Sequence, residues 1–119
     1  MVVTREMEFR ASHSHKGMLV EPHHEHLYKV KLMMDGNLNE EGFVVDFRAV
    51  KRLFRRVVGS QLDGQDLDTH FEYPTAENLA KYVWQKMAPF FPLIEVEVKE
   101  KPHSSAFYRE NPCQIKLPQ

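Results

Sequence analysis

Histidine is the residue whose number and spacing in this sequence point most directly to chemistry. Five of the seven histidines lie between positions 13 and 26. His24 and His26 stand two residues apart in "EPHHEHLYKV", and side chains at that spacing on a β-strand project from the same face. Their imidazoles can therefore converge on one metal ion. His23 and Glu25 are out of phase with this pair and should point to the opposite face.

A third imidazole is expected from the preceding strand. Residues 3–13, "VTREMEFRASH", alternate between apolar and polar side chains, and His13 ends the apolar face. If this strand pairs with the one that carries His24 and His26, the three imidazoles lie at one end of the sheet. Three neutral imidazoles leave one position of a tetrahedral zinc ion open, as in catalytic zinc sites. The sequence thus predicts a Zn²⁺ site on these three histidines.

Two other interpretations of the histidines stay open. They can be solvated residues at strand ends, in which case no metal binds. Imidazole ligands also serve iron and nickel, so ligand type alone does not select zinc. The helical zinc motif H-E-x-x-H does not fit, because His24-Glu25 is followed by strand periodicity.

An acidic residue shares an apolar face near the other end of the chain. Residues 93–101, "LIEVEVKEK", alternate, and the expected inward side chains are Ile94, Val96 and Val98. The same phase carries Glu100 inward and Glu95 outward. A buried carboxylate needs a partner, and two parallel N–H donors of a cyclic guanidine, as in pterins and guanines, would suit it. The alternative is that Glu100 turns to solvent at a frayed strand end.

The elements that must position these residues follow the order β-β-α-α-β-β. The second strand covers residues 24–34, after a turn-rich stretch. A first helix begins after the capping residue Asp46 and ends near Gly59 or Leu62. A second helix is capped by Thr75 and ends before two prolines, and a last short strand is expected in "SAFYRE" or "CQIKL". No linker or repeat divides residues 1–119, so we expect a single α+β domain.

Composition limits the classes of function. The chain has 119 residues, 42% of them hydrophobic and 28% charged, and its net charge is −1. There is no basic excess for nucleic acid or an acidic membrane face, and no apolar run approaches the ~20 residues of a membrane span. One cysteine, Cys113, excludes an internal disulfide framework. The N-terminus lacks the pattern of a signal peptide. We therefore expect a cytoplasmic protein.

Seven segments stand in a characteristic order between residues 7 and 109: "FRASH", "HEHLYKV", "GFVVDFRAVKRLF", "LD", "PTAENLAKYVW", "VEVKEK" and "FY". Together they resemble the 6-pyruvoyl-tetrahydropterin synthase family, which includes the 6-carboxy-tetrahydropterin synthases of the queuosine pathway. The resemblance implies the tunnelling fold, whose ββααββ subunit has an antiparallel four-stranded sheet and two helices on one face. It also implies that subunits join their sheets into trimers, commonly stacked as hexamers, with the active sites between subunits.

The resemblance also implies a site. It places zinc on His13, His24 and His26, and gives Glu100 the role of anchoring a pterin ring with backbone groups around Thr75 and Ala76. The usual substrate of the family is 7,8-dihydroneopterin triphosphate. These implications make the protein a zinc-dependent lyase that processes a small-molecule pterin, without a nucleic-acid or membrane partner.

The acid–base residues of the family are altered here. Met18, Leu19 and Val20 stand where the family has its catalytic cysteine, and its aspartate–histidine pair reads Asp63-Gly64. One branch lacks the cysteine and has a glutamate in the pattern E-x-x-H-G-H, which "EPHHEH" resembles from Glu21 onward. That branch cleaves the side chain to 6-hydroxymethyl-dihydropterin for folate synthesis.

We therefore predict Glu21 and Asp63 as catalytic residues. The other possible bases are His15, His23 and His70. Three alternatives remain. The chain can be a 6-pyruvoyl or 6-carboxy synthase that works without the cysteine, a zinc-containing pterin- or purine-binding paralogue without turnover, or a structural domain with chance histidines.

Overall fold

A long β-hairpin forms the centre of the fold. The structure, a computed structural model, describes residues 1–16 and 20–110, and for residues 15, 16 and 20–22 it describes the backbone. Strand β1 spans Val2–Lys16 and β2 spans Val20–Asp35. Both are longer than predicted, because backbone pairing continues past His13 into the stretch that we expected to be turn-rich. The pairing of Lys16 with Val20 overrides the polar, turn-favouring composition there.

The sheet has five strands in the order β3-β1-β2-β4-β5. Strand β4 (Leu93–Lys101) is antiparallel to β2, and β5 (Ser104–Tyr108) is antiparallel to β4. The last strand thus lies in "SAFYRE", one of the two predicted places. The predicted four-stranded sheet is corrected by β3 (Gln65–Asp66), which pairs parallel to β1. Two residues are too few to show any periodicity, so this strand left no signal in the sequence.

The first helical segment changes its hydrogen-bonding pattern along its length. Helix α1 (Phe47–Phe54) is followed by a π-helical turn at Arg55–Gly59 and by the short helix α2 (Ser60–Leu62). The Asp46 side chain caps it by accepting from the Arg48 amide at 2.9 Å, as predicted. Four buried residues recur at every fourth position: Val50, Phe54, Val58 and Leu62. A spacing of four exceeds the 3.6 residues of an α-helical turn, and the wider π turn keeps all four in the core.

The second predicted helix is α3 (Ala76–Met87), and the Thr75 hydroxyl caps it by accepting from the Asn78 amide at 3.1 Å. Its buried side chains share one core with those of the sheet and of the first helical segment. The class is therefore α+β, with the helices packed against the sheet. Among the described residues, no helix has the length and apolar character needed to cross a membrane.

The predicted phase of β4 is wrong at its first residues. Met33 pairs with Glu95 and Met34 pairs with Leu93, which leaves Ile94 as the extra residue of a β-bulge. Ile94 is consequently 38% exposed, and Glu95 is only 6% exposed. Beyond the bulge the alternation resumes, and Val96 and Val98 are buried as predicted.

Candidate metal and ligand site

Three histidines meet at one end of the β1–β2 hairpin. His13 lies directly opposite His24 in the strand pairing, and His26 follows two residues later on the same face. The centroid of the His13 ring lies 4.8 Å from that of His24 and 5.4 Å from that of His26. His13 is 4% exposed. The structure thus brings together the three imidazoles that strand periodicity selected.

Glu100 completes this cluster from the end of β4. Its Oε2 atom lies 3.0 Å from Nε2 of His26 and 3.4 Å from Nε2 of His13. One ligand atom from each of the three histidines and from Glu100 lies within 4.8 Å of the others. The inward direction expected for Glu100 is therefore present, and the carboxylate faces the imidazoles. This group can hold a metal ion with four donors, or with three donors and a free carboxylate beside them.

The protonation pattern of the rings fits metal binding. Nδ1 of His13 lies 3.1 Å from the Ser14 carbonyl, and Nε2 lies 3.4 Å from Oε2 of Glu100. The Ser14 contact is the shorter of the two and suits a proton on Nδ1, with which Nε2 presents its lone pair to the cluster. Nε2 of His26 is buried and forms no hydrogen bond with the described residues, although an oxygen of Glu100 lies 3.0 Å away. Burial lowers the pKa of His26, opposed by Glu100 and assisted by His24 and His13. Neutral imidazoles are the form that binds metal.

A cavity of about 430 Å³ opens beside the cluster. The residues that line this cavity belong to the cluster, to the start of α3 and to β5 with the end of β4. They are His13, Pro74, Thr75, Ala76, Glu77, Glu100, Lys101, Ser104, Ser105 and Ala106. Thr75 and Ala76, predicted to bind ligand, thus lie in the same cavity as Glu100. The Thr75 hydroxyl is already used as the helix cap, so main-chain groups are what this end of α3 can offer to a ligand.

Asp63, one of the two predicted catalytic residues, is not part of this described cluster. The Asp63 carboxylate accepts from the Arg10 amide at 3.0 Å, and Gly64, with φ of +74°, donates its amide to the Arg10 carbonyl. Glu21 pairs with His15 in the hairpin backbone. Its side chain, and that of His15, lie outside the described part of the chain.

Three residues near the cluster, Asp66, Asp68 and Tyr28, were not singled out from the sequence. Asp66 lies 3.2 Å from Nε2 of the exposed His23, and Asp68 accepts hydrogen bonds from the amide and hydroxyl of Ser14. Tyr28 is fully buried next to His13 and His26. The signal for Tyr28 was its phase with His24 and His26. Asp66 and Asp68 lie in a segment without periodicity, so only their chemical type could have marked them.

Comparison with known proteins agrees with this architecture. Residues 2–111 match the family described as 6-pyruvoyl tetrahydropterin synthase. A putative 6-carboxy-5,6,7,8-tetrahydropterin synthase of Archaeoglobus fulgidus is 32% identical over 89 residues, covering 74% of this chain and 76% of the relative. A dihydroneopterin monophosphate aldolase of Pyrococcus furiosus is 29% identical over 84 residues, covering 71% and 72%.

Solved structures show the same fold. The 6-pyruvoyl tetrahydropterin synthase of Caenorhabditis elegans superposes with a TM-score of 0.79 at 22% identity, covering 93% of this chain and 96% of that one. A Plasmodium vivax 6-pyruvoyltetrahydropterin synthase, in which a catalytic glutamate is replaced by alanine, gives a TM-score of 0.67 at 19% identity, with 93% and 99% covered. This chain belongs to the 6-pyruvoyl tetrahydropterin synthase family of pterin-processing lyases.

Proposed function

We propose that the protein is a zinc-dependent lyase that shortens the side chain of 7,8-dihydroneopterin triphosphate to give 6-hydroxymethyl-dihydropterin. The observation that carries the proposal is the cluster of His13, His24, His26 and Glu100, of which His13 and Glu100 line a cavity of about 430 Å³. Zinc bound to the histidines would polarise hydroxyl groups of the substrate side chain and lower their pKa. The remaining steps belong to residues of the chain itself.

Glu100 and the start of α3 would hold the ring. The Glu100 carboxylate lines the cavity as well as facing the imidazoles. A carboxylate can accept two parallel N–H donors from the cyclic guanidine of a pterin, while main-chain groups at Thr75 and Ala76 contact its edge. Fixing the ring at this wall would direct the side chain at C6 toward the histidines. Orientation of this kind is a large share of what an active site contributes.

Glu21 would move the proton. It stands three residues before His24 on the strand that carries two of the imidazoles, and no cysteine occurs among residues 14–26. The Plasmodium vivax relative, described with a catalytic glutamate, is a precedent for an acid in this family. A carboxyl group acts as a general base near neutral pH when its surroundings raise its pKa. Asp63 keeps a proposed supporting role in catalysis, and its described contact is with the Arg10 amide.

Cleavage is preferred over the synthase reactions because the family's cysteine and histidine are both replaced, at Leu19 and its neighbours and at Gly64. The relative named as an aldolase supports the same direction. The replaced residues also favour one alternative from another class, a zinc-containing pterin- or purine-binding paralogue without turnover. That alternative keeps the cluster and the cavity but predicts no product.

The test is a mass-spectrometric assay of zinc-loaded protein with 7,8-dihydroneopterin triphosphate, together with Glu21→Ala and Glu21→Gln. We expect the 6-hydroxymethyl product from the unmodified protein and at least a 100-fold loss of rate in both variants, within the range that general acid–base catalysis supplies. Both variants should retain zinc. The exposed loop residue Glu41 provides a matched control, since Glu41→Ala should leave the rate unchanged.

Each other outcome selects another function. A 6-pyruvoyl or 6-carboxy product would identify a synthase that works without the cysteine. Full activity in both Glu21 variants would remove Glu21 from the mechanism. Zinc and pterin bound at one equivalent each, without any product, would establish the binding paralogue.

We further propose that the active protein is a homo-oligomer, a trimer or hexamer. Strand β1 has fifteen residues, yet β3 pairs with it at only two positions, Ala11 and Ser12. Most of the outer edge of β1 therefore has no strand beside it among the described residues. Free strand edges favour pairing with another chain, and the edge of β5 in a second copy is a suitable partner.

A further inference from the structure

The metal cluster adjoins an irregularity in the β1–β2 pairing. His13 pairs with His24, and the next pair is His15 with Glu21. Between these pairs β1 has one residue, Ser14, whereas β2 has two, Pro22 and His23. Proline has no amide hydrogen and cannot donate to the ladder. Ser14 therefore stands opposite a bulge that contains a proline.

The backbone of Ser14 is bonded to side chains. Its amide donates to both carboxylate oxygens of Asp68, at 3.2 and 3.1 Å, and its hydroxyl donates to Oδ2 at 2.6 Å. Its carbonyl accepts from Nδ1 of His13 at 3.1 Å. Ser14 thus connects the Asp68 carboxylate to His13, a predicted metal ligand.

Asp68 is itself held in place. Strand β3 pairs parallel to β1, with Asp66 beside Ser12, and it leads directly into the 3₁₀ turn Leu67–Thr69. The Asp68 amide donates to Oδ1 of Asp66 at 3.0 Å. The two-residue strand therefore brings the 3₁₀ turn against β1, where the Asp68 carboxylate reaches Ser14.

We propose that Asp68 is a positioning residue for His13 and acts through Ser14. By holding the amide and the hydroxyl of Ser14, Asp68 keeps the Ser14 carbonyl where it accepts the Nδ1 proton of His13, so that the lone pair of Nε2 points into the cluster. Partners of this kind set the tautomer and direction of a ligating imidazole, and their loss typically lowers metal affinity about 10- to 100-fold. The inference rests on the proposed metal site.

Two measurements test it, and one of them needs no metal. The first is the tautomer of His13 in the metal-free protein at a pH where imidazoles are neutral, read from long-range ¹H–¹⁵N NMR correlations. The second is zinc affinity, read by competition with a chromophoric chelator. Both are compared for the unmodified protein, Asp68→Asn, Asp68→Ala and Ser14→Ala, with the unfolding midpoint of each variant recorded.

We expect the unmodified protein to show a single Nδ1–H tautomer of His13. The two Asp68 variants should show a mixture of tautomers and a zinc affinity lower by about 10- to 100-fold. Ser14→Ala removes one of the three hydrogen bonds and keeps the peptide, so its loss should be smaller. Ser14→Thr keeps the hydroxyl and should restore the affinity.

Asp63→Ala is the matched control. Asp63 also offers its carboxylate to a β1 amide, that of Arg10, but it is not connected to His13. This variant should keep both the tautomer and the zinc affinity.

Asp68 variants with a lower unfolding midpoint but an unchanged tautomer and zinc affinity would make Asp68 a purely structural residue and overturn the inference. Failure of the unmodified protein to bind zinc would overturn the proposed function instead. The tautomer measurement in the metal-free protein would still decide whether Asp68 orients His13.

Discussion

Tyr28 presents a buried hydroxyl for which the described part of the chain provides no hydrogen-bond partner. The residue is fully buried, its ring stacks on Phe9 at a centroid distance of 5.0 Å, and its hydroxyl has no described partner. Burial raises the pKa of this hydroxyl well above its ordinary value of 10.0, and Glu100 and Asp68 add to the effect. A polar group in this situation costs stability rather than adding to it.

Replacing Tyr28 by Phe should therefore leave the free energy of unfolding unchanged at neutral pH or raise it by about 1 kcal/mol, because the unpaired hydroxyl is removed and the ring remains. Denaturant titration measures this. Tyr73, whose side chain is 45% exposed, provides the control variant Tyr73→Phe. A loss of more than about 1 kcal/mol in Tyr28→Phe would mean that the hydroxyl has a partner in solution.

The raised pKa of Tyr28 also predicts that the free energy of unfolding depends on pH. The pKa of Tyr28 is higher in the folded than in the unfolded protein, so above pH 10 the unfolded chain loses this proton first. Stability should then fall with rising pH by up to about 1.4 kcal/mol per pH unit from this residue. Between pH 9.5 and 11, Tyr28→Phe should lose less stability than the unmodified protein. Equal losses would contradict the assigned cause.

Residue types and phase were sufficient to predict that His13, His24 and His26 lie together and that Glu100 points inward, since each followed from period-two alternation on a strand that also carries apolar residues. From the sequence we assigned Glu100 to a pterin ring, and its position beside the imidazoles was not predicted. Asp68 could not be found in that way, since it lies in a 3₁₀ turn whose position depends on the pairing of β3 with β1. Long-range pairing of a two-residue strand has no local pattern in the sequence.

An ion pair covers Glu95, which lies beside Met33 on the face of the sheet opposite to that of Val96 and Val98. Glu95 is 6% exposed, and its Oε1 lies 2.5 Å from both Nε and Nη2 of Arg109. The Arg109 side chain is 71% exposed. The charge of the buried Glu95 is thus paired by a largely exposed arginine, which lies just after the end of β5. Losing the arginine would leave a carboxylate buried without its cation.

Arg109→Ala should lower the free energy of unfolding by about 1–3 kcal/mol, the cost of leaving a buried polar group unsatisfied. Chemical denaturation of the variant measures the loss. A second substitution, Glu95→Gln, should recover part of it by removing the buried charge. The control Arg48→Ala breaks an exposed pair with Asp46 and should cost no more than about 1 kcal/mol. Equal effects of the two arginine variants would show that burial of Glu95 does not matter.

The helices show where periodicity is an incomplete guide. The apolar positions of the first helical segment and its Asp46 cap were read correctly, but the π-helical turn Arg55–Gly59 was not predicted. Its cause is nonetheless visible in the sequence, because Val50, Phe54, Val58 and Leu62 recur at a strict spacing of four. In β4 the sequence pattern contains no sign of the irregularity: the residues alternate, but a bulge interrupts the strand and exposes Ile94. Bulges depend on the neighbouring strand, which the local pattern does not contain.

Metal binding and overall stability should be coupled, because the three imidazoles come from two paired strands and lie together only in the folded hairpin. Zinc at 100 times its dissociation constant should raise the free energy of unfolding by about 2.7 kcal/mol. Calorimetry with and without zinc measures the shift of the unfolding midpoint. His24→Ala should abolish most of it, whereas His70→Ala, in an exposed turn, should retain it. A full shift in His24→Ala would place the bound zinc at another site.

The assembly of the sheet also decides when the cluster can exist. His13 and Glu100 are separated by 87 residues along the chain, whereas His24 and His26 are nearly adjacent. In an unfolded chain only the local pair can meet a metal ion, and formation of the β1–β2 hairpin adds His13 to that pair. Glu100 arrives later, because it reaches the histidines only after closure of a very long loop. Zinc binding to the three histidines would thus begin once the hairpin has formed, and the carboxylate that holds the ring would join them when β4 docks on β2. Metal uptake would then report formation of the hairpin, and a chain arrested before β4 would bind zinc without a carboxylate beside it.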